Sequence, residues 1–517
     1  MNFERGFDYI IVGAGAAGCV IAYRLIKNLG CSVLLLEAGN PDNNPAIHNT
    51  DMQSMTSLWG SNADWGYSTE PEPGLGDRRI SIAQGKVLGG GTSINAMMYI
   101  RGNRRDYDRW KFLGNEGWSY QEVLPYLKKS ENYEGGASAY RGVGGPLNVV
   151  NYHNPAPVSQ AFVSAAMELG YAGDGWDCNG EQQENGAFFY QSTRTQDNQR
   201  CSTAVAFLKP ILGHPNLTVA TNALVTRLLF ANQQVIGVEY LQDGKLHQVR
   251  AESEVILSCG AFESPKLLML SGIGPAEHLQ AHGIPLVVDL PGVGKNLQDH
   301  LLFGVGYRCK QEQPLPNLLS EAGLFVYTSN DIDDTSIASP DLQFFFGPVQ
   351  FLEPQYLVDG PGFTFAPILV QPQSRGTVSL RSNNPNDLAV VRANYLQSDA
   401  DLDVLIRGIE ISRELANTRA FDEFRGEELA PGVSVTSKSE LSNYIRQVAS
   451  TVWHPVGTCK MGIDPDAVVN PQLQVYGVER LRVVDASIMP TITSGNTNAP
   501  TIAVGEKAAD DLIIATR

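Results

Sequence analysis

The sequence contains few cysteines, and no two of them form a Cys-x-x-Cys pair. Seven cysteines occur in 517 residues, an odd number at irregular spacing, which does not suggest a disulfide framework or a thiolate zinc site. No metal site is predicted. We expect reduced thiols with structural roles.

Long apolar runs are also missing. No stretch of about 18 apolar residues predicts a transmembrane helix. The first strand-like run begins at Tyr9, which leaves no room before it for the basic and apolar parts of a signal peptide. We therefore expect a cytoplasmic protein without a membrane span.

Basic residues are in the minority. The 38 Lys and Arg residues face 55 Asp and Glu residues, for a formal net charge of −17. Such a field repels nucleic acid and anionic membranes, so neither is an expected partner. With 43 % hydrophobic and 18 % charged residues, the composition is typical of a globular enzyme, and the length favours two domains, whether interleaved or consecutive.

The N-terminal segment predicts a βαβ unit. Residues 8–12 form an apolar strand-like run, residues 16–29 follow a helical pattern, and residues 31–36 form a second apolar run that ends at Glu37. Buried parallel strands joined by a helix have this pattern.

A glycine-rich loop, Gly13-Ala-Gly15-Ala-Ala-Gly18, joins the first strand to the helix. The three glycines permit a tight turn, a close approach of the backbone to a pyrophosphate, and close packing of helix on strand. Glu37 lies where a carboxylate accepts hydrogen bonds from a ribose. The unit predicts a dinucleotide site but does not separate FAD from NAD. The binding residues predicted from it are Gly13, Gly15, Ala16, Ala17, Gly18, Glu37 and Ala38.

Further elements follow along the chain. Residues 105–130 predict amphipathic helices, and residues 301–445 are rich in strands and turns, with a helical stretch near 400–416, which indicates a layer that faces the substrate. Additional strands are predicted at residues 217–220, 225–230, 235–240 and 255–258.

Six collinear motifs resemble those of the glucose-methanol-choline oxidoreductases. The first reads GKVLGGGTSIN and the second GAFESPKLLMLSGIG. The motifs occupy residues 85–95, 260–274, 291–300, 454–462, 481–487 and 495–500. The resemblance runs from residue 8 to residue 514.

The resemblance implies an α/β fold, with mixed α+β features. A Rossmann-like FAD-binding domain is interleaved with a substrate-binding domain made of a sheet and helices. The implied FAD-binding segments are 1–155, 201–305 and 446–517, and the substrate-binding segments are 156–200 and 306–445.

The resemblance also assigns FAD as the cofactor. Some family members carry a histidine at the position of Ile94 and attach the flavin covalently, so the isoleucine here predicts non-covalent FAD. Val225 is implied to contact the adenine, and Asp485 to act near the pyrophosphate through hydrogen bonds, since a bare carboxylate repels phosphate. The other cofactor residues implied by the resemblance are Val87, Gly90, Thr92, Asn95, Ala96, Met97, Trp453, Ala486 and Thr501.

His454 and Asn498 are the catalytic residues implied by the resemblance. Without that context, a lone histidine beside a tryptophan is more often a packed core residue. With it, the neutral imidazole of His454 suits a general base near pH 7, and Asn498 offers a donor to the substrate oxygen. Asn496 is interpreted as a turn-forming asparagine.

The predicted reaction is oxidation of an alcohol to an aldehyde or ketone, with hydride transfer to flavin N5 and with O2 or another compound as electron acceptor. The substrate prediction is an aromatic or apolar primary alcohol, and a monomer or homodimer is expected. Phe344, Phe345, Phe346, Phe351 and Trp453 are read either as a pocket lining or as core. The alternatives are a choline-type enzyme, flavin lyase or photodecarboxylase chemistry, a NAD-linked dehydrogenase, and a flavoprotein without catalytic activity.

Overall fold

The computed structural model describes residues 3–173, 175–329 and 338–516. The helices in these ranges are α1 Ala16–Leu29, α2 Pro45–His48, α3 Met52–Ser57, α4 Arg104–Phe112, α5 Tyr120–Ser130, α6 Pro157–Glu168, α7 Gly260–Leu270, α8 Ala276–Ala281, α9 Asp399–Ala416, α10 Lys438–Val448 and α11 Asn498–Thr516. None of these helices combines the length and the apolar character that a membrane crossing requires.

The strands are short, apart from a few in the two large sheets. They are β1 Gly6–Val12, β2 Val33–Leu36, β3 Tyr67–Ser68, β4 Ser81–Ile82, β5 Met98–Tyr99, β6 Glu131–Tyr133, β7 Leu147–Val149, β8 Gly186–Phe189, β9 Gln191–Ser192, β10 Leu217–Ala220, β11 Leu224–Ala231, β12 Gln234–Gln242, β13 Lys245–Leu257, β14 Ile273–Gly274, β15 Val288–Asp289, β16 Leu301–Leu302, β17 Val305–Cys309, β18 Ala322–Val326, β19 Leu342–Gly347, β20 Gly362–Leu369, β21 Thr377–Ser379, β22 Val390–Arg392, β23 Arg425–Ala430, β24 Ser450–Thr451 and β25 Leu481–Val483.

The first large sheet has the strand order β10-β2-β1-β13-β12-β11. β10, β2, β1 and the C-terminal half of β13 are parallel, and β25 pairs in parallel with that half of β13. The N-terminal half of β13 pairs instead with antiparallel β12. The parallel strands therefore end together at one edge, where ligands bind in open α/β sheets.

Helix α1 connects β1 to β2, as the sequence predicted, and it spans the predicted residues. It ends where Gly30 adopts φ 64°, a left-handed conformation that glycine reaches without strain. Its apolar face is buried against the sheet. Gly505 of α11 lies so close that a Cβ there would stand 3.0 Å from the Cα of Ala17, so α11 packs tightly across α1.

The second large sheet is antiparallel, in the order β23-β17-β20-β19-β18-β8, with β16 paired to β20 and to β24. Strand β19 carries the phenylalanine triplet. Phe344 packs into the main core of this half of the molecule, and Phe345 joins a smaller apolar cluster. This split follows from the alternation of side chains along a strand.

The predicted fold class is confirmed: a Rossmann-like sheet and a second sheet share one chain whose segments alternate between them. The first sheet takes strands from residues 6–36, 217–257 and 481–483, and the second takes most of its strands from residues 301–430. The exact domain boundaries stay predictions.

Candidate active site

A cavity of about 490 Å³ opens at the carboxyl edge of the first sheet and extends to the second sheet. Residues that directly follow β1, β2, β13 and β25 form one part of its wall. Nearly all of the predicted site residues line it. They are Gly13, Gly15, Ala16, Ala17, Glu37, Ala38, Gly90, Thr92, Asn95, Ala96, Met97, Val225, Trp453, His454, Asp485, Ala486, Asn498 and Thr501.

Two of the predicted cofactor residues do not line the cavity. A Cβ at Gly18 would stand 2.0 Å from the carbonyl oxygen of Gly13, so Gly18 serves the packing of helix on strand. Val87 is buried in a small apolar cluster behind the wall. Both residues therefore shape the loops that do reach the cavity.

The N-terminus of α1 faces the cavity through Gly15, whose position has no side-chain cap. A Cβ on Gly15 would meet only one atom within 4 Å, Ser258 O at 3.8 Å, so space is open in front of it. On the other side, a Cβ on Gly90 would stand 2.8 Å from the Cα of Gly15. The two backbones thus form a narrow cradle at the N-terminus of α1, a place suited to a pyrophosphate.

Glu37 and Asp485 are buried carboxylates held by donors of the chain. Glu37 accepts hydrogen bonds from the backbone N–H groups of Ala14 (2.9 Å) and Gly39 (2.8 Å), and burial raises its pKa to about 7. Asp485 accepts from the N–H of Gly260 at 2.9 Å and from Ser264 Oγ at 2.6 Å. The carboxylate of Asp485 is thus hydrogen-bonded within the protein, and its role near the pyrophosphate stays a prediction.

The backbone is strained at two points on the cavity wall. Met97 has φ 61° and Trp453 has φ 63°, values that side chains other than glycine and asparagine rarely adopt. Each costs on the order of 1–3 kcal/mol, and such strain concentrates at functional sites. Trp453 directly precedes His454, so the strained turn sets the direction in which the histidine leaves the backbone.

His454 is held at three points. Its backbone N–H donates to Asp299 Oδ1 at 2.8 Å, its Nδ1 lies 3.0 Å from Nδ1 of His300, and its Nε2 lies 3.3 Å from Nδ2 of Asn496. The residue lines the cavity, and burial lowers its pKa to about 3. A neutral imidazole is therefore fixed with Nε2 on the cavity side.

Asn496, interpreted from the sequence as a turn-forming residue, is the asparagine in contact with His454. Its side chain is 9 % exposed and its Oδ1 is buried without a hydrogen-bond partner. Asn498 begins α11 and lines the same cavity, but among the described residues it makes no hydrogen bond to His454. The turn interpretation of Asn496 is thus corrected. The pairing of Asn498 with His454 stays a prediction without geometric support.

The wall next to His454 is apolar. Leu302, Phe345 and Ala366 form one cluster, against which Ala96 and Val452 pack. Phe346, Phe351 and Trp453 also line the cavity, whereas Phe344 does not and belongs to the core. The sequence left open whether these aromatic residues line a pocket or belong to the core. In the structure Phe344 belongs to the core, and the others line the cavity.

The carboxylates on the described wall all have partners within the protein. Besides Glu37 and Asp485, Glu263 lies 3.2 Å from the ammonium group of Lys266 and accepts a hydrogen bond from Tyr67. No carboxylate is thus left free on this wall to receive a cationic substrate.

Two residues of this site were not singled out from the sequence. Asp299 and His300 lie at the end of the motif at residues 291–300, and their acid and imidazole side chains were the available signal. What the motif could not show is that this segment meets residues 451–454, through Asp299 Oδ1 and the His300 ring.

Two family models match this chain. The N-terminal model of the GMC oxidoreductases matches residues 7–302, and the C-terminal model matches residues 372–505. Mitochondrial choline dehydrogenase of Mus musculus is 41 % identical, over 98 % of this chain and 89 % of its own length. Alcohol dehydrogenase [acceptor] of Pseudomonas putida is 41 % identical, over 98 % and 96 %.

Among solved structures, an FAD-dependent oxidoreductase from Chaetomium thermophilum superposes with a TM-score of 0.89 at 26 % identity, over 99 % of this chain and all of that one. Both family models together cover most of the chain. The protein is therefore a member of the GMC oxidoreductase family, an oxidoreductase whose cofactor is FAD.

Proposed function

We propose that this protein oxidises an apolar or aromatic primary alcohol to the aldehyde, with FAD bound non-covalently. The observation that carries the proposal is the neutral His454, whose Nε2 stands at the cavity beside Asn496 and opposite an apolar wall. A base, a hydrogen-bond donor and an apolar pocket are what the removal of a hydroxyl proton from such an alcohol requires.

The residues present fit FAD. The cavity runs from Glu37 and Val225, past the cradle of Gly15 and Gly90, to His454. Glu37 suits a ribose, and the cradle suits a pyrophosphate. Ile94 lines the wall where a histidine would be needed for a covalent link, which supports non-covalent binding.

The acid–base work falls to His454 and Asn496. Nε2 of His454 takes the hydroxyl proton, and Nδ2 of Asn496 donates a hydrogen bond to the substrate oxygen as negative charge develops there. Bound FAD supplies the acceptor for the hydride that leaves the carbinol carbon. The buried surroundings exclude water and strengthen both interactions.

The apolar wall supports a neutral substrate over a quaternary ammonium alcohol. One of the two relatives is named a choline dehydrogenase and the other an alcohol dehydrogenase, so their names do not decide between these substrates. A cationic headgroup would need a free carboxylate or an aromatic cage. The carboxylates on the described wall have partners within the protein, so a cation would depend on the aromatic rings of the wall alone. Leu302, Phe345 and Ala366 instead match an apolar group.

The test is anaerobic mixing of the yellow holoenzyme with benzyl, aliphatic and choline-type alcohols, followed by admission of air. Bleaching of the flavin absorbance by benzyl or aliphatic alcohols, faster than by choline, is expected. Rapid return of the colour in air identifies an oxidase, and slow return a dehydrogenase. A flavin that no alcohol in the panel bleaches would refute the proposal.

Truncation of the two asparagines separates their roles. Asn496→Ala is expected to slow flavin reduction at saturating alcohol by about 10- to 100-fold, because a donor to the developing alkoxide is lost. Asn498→Ala is expected to have the smaller effect. Anaerobic stopped-flow measures both. A larger loss in Asn498→Ala would restore the pairing predicted from the sequence.

Phe345→Ala tests the apolar wall. The removed ring is expected to lower kcat/KM for benzyl alcohol by about 10- to 100-fold, chiefly through KM, since about 1–3 kcal/mol of apolar contact is lost. Phe344→Ala is the matched control: its side chain faces the core, so it should lower the melting temperature and leave KM unchanged. Equal KM values in both variants would place the substrate elsewhere.

The pH dependence should reflect the neutral base. Burial lowers the pKa of His454 to about 3, so the imidazole stays unprotonated well below the ordinary histidine value of about 6.5. The rate constant of flavin reduction is therefore expected to be flat from about pH 8 down to about pH 5. Anaerobic stopped-flow across this range measures it, and a fall that tracks a pKa near 6.5 would contradict it.

A further inference from the structure

His300 is in direct contact with His454 on the side away from the cavity. The two Nδ1 atoms are 3.0 Å apart, and the rings are perpendicular at 90°, with centroids 5.3 Å apart. Asp299 fixes the pair, since its Oδ1 accepts the backbone N–H groups of both His300 (2.9 Å) and His454 (2.8 Å). His300 itself is fully buried, at 0 % exposure.

Two nitrogens at this distance share one proton. Burial keeps both rings neutral: it lowers the pKa of His454 to about 3, and burial followed by the nearby His454 lowers that of His300 well below its usual range. A neutral imidazole carries its proton on one nitrogen only. The histidine that donates carries its only ring proton on Nδ1, so its Nε2 has a free lone pair. The histidine that accepts carries its proton on Nε2.

The surroundings favour one of the two arrangements. If His300 donated, His454 would carry a proton on Nε2, which would face the Nδ2 donor of Asn496 at 3.3 Å, two donors with no acceptor between them. The Nε2 lone pair of His300, which forms no hydrogen bond of normal geometry, would also be buried without a donor.

If His454 donates, the meeting of two donors at Asn496 disappears. Nε2 of His454 then accepts from Nδ2 of Asn496, and the proton of His300 sits on its buried Nε2, near the backbone of Val370. The contact of His300 with His454 and the contact of His454 with Asn496 then each pair a donor with an acceptor.

We propose that His300 is a positioning residue: it accepts the Nδ1 proton of His454 and so holds His454 in the tautomer whose Nε2 lone pair faces the cavity. The inference rests on the proposed function for its kinetic consequence, because only this tautomer can take a proton from an alcohol. The tautomer itself is inferred only from the contacts of His454 with His300 and Asn496. His300 itself does not line the cavity.

The direct test is nitrogen NMR of the holoenzyme labelled with ¹⁵N-histidine. The signals of His454 are assigned by their loss in His454→Gln. Nδ1 is expected to be protonated and Nε2 bare. A proton found on Nε2 of His454 in the unaltered protein would overturn the proposal, whatever the enzyme's rate.

Two substitutions at His300 extend the test. His300→Asn keeps an acceptor near the position of Nδ1 through its Oδ1, and His300→Leu has a similar volume to histidine but offers none. The asparagine variant is expected to keep the tautomer and to reduce flavin within about tenfold of the wild-type rate. The leucine variant is expected to mix the tautomers and to lower the rate constant about 100-fold at an unchanged KM, since a wrong tautomer at a general base is costly.

The outcomes separate this proposal from the proposed function. If His300→Leu folds, binds FAD and retains both the tautomer and the rate, the positioning role is wrong. If the tautomer shifts in His300→Leu while flavin reduction is unaffected there and in His454→Ala, the positioning role stands and the assignment of His454 as base fails.

Discussion

His454→Ala is expected to lower the rate constant of anaerobic flavin reduction at saturating alcohol by about 10²- to 10⁴-fold. The substitution removes the proposed base at Nε2 and the partner of Asn496 Nδ2. The alcohol would then lose its proton acceptor, and the donor of Asn496 would no longer be held in place. KM should change little, because the apolar wall is intact. Stopped-flow absorbance of the flavin provides the measurement.

FAD content must be shown to be unchanged for this result to count. His153→Ala is a matched control, since that histidine lies on the surface, with its side chain 69 % exposed, and should reduce flavin at the wild-type rate. A rate for His454→Ala within tenfold of the wild type, at full FAD occupancy, would remove His454 from the mechanism.

Gly15→Val is expected to yield a folded, colourless protein. The backbone at Gly15 has φ −83° and ψ −160°, an extended conformation that valine adopts readily, and the added Cβ points into open space with only Ser258 O nearby at 3.8 Å. That space is where we propose that the pyrophosphate approaches the helix. FAD affinity should fall at least about 100-fold, on the order of 3 kcal/mol, by fluorescence titration of the apoprotein.

Two further variants serve as controls for the effect of Gly15→Val. Lys27→Val places a valine on the exposed face of the same helix and should leave FAD binding intact. Gly18→Val should not fold, because its Cβ would lie 2.0 Å from the carbonyl oxygen of Gly13. Full FAD occupancy in Gly15→Val would mean that the pyrophosphate does not lie against this turn.

The first βαβ unit could be predicted well because its determinants are local. Glycine spacing, a helical period and two apolar runs specify it, and helix α1 occupies the predicted residues 16–29. The hydrogen-bonded state of Asp485 was predictable too, since a carboxylate near phosphates needs donors. Family motifs then supplied the cofactor.

The identity of the asparagine beside His454 was not predictable in the same way. Asn496 and Asn498 are the same residue type two positions apart, and only the start of α11 at Asn498 decides which side chain meets the histidine. The contact of His300 with His454 joins residues 154 positions apart. Such pairings depend on sheet register between β16 and β24, which no local pattern reveals.

The order of the chain also decides when the cofactor site can exist during synthesis. The last part of the chain contributes β25, α11, His454, Asp485 and Asn496. These segments nevertheless contact earlier ones: α11 packs on α1, and the carboxylate of Asp485 accepts a hydrogen bond from the backbone N–H of Gly260. While the ribosome has made only the first two thirds, the glycine turn is present but one wall of the cavity is not. If FAD binds in this cavity as we propose, its capture must await the synthesis of the C-terminal helix.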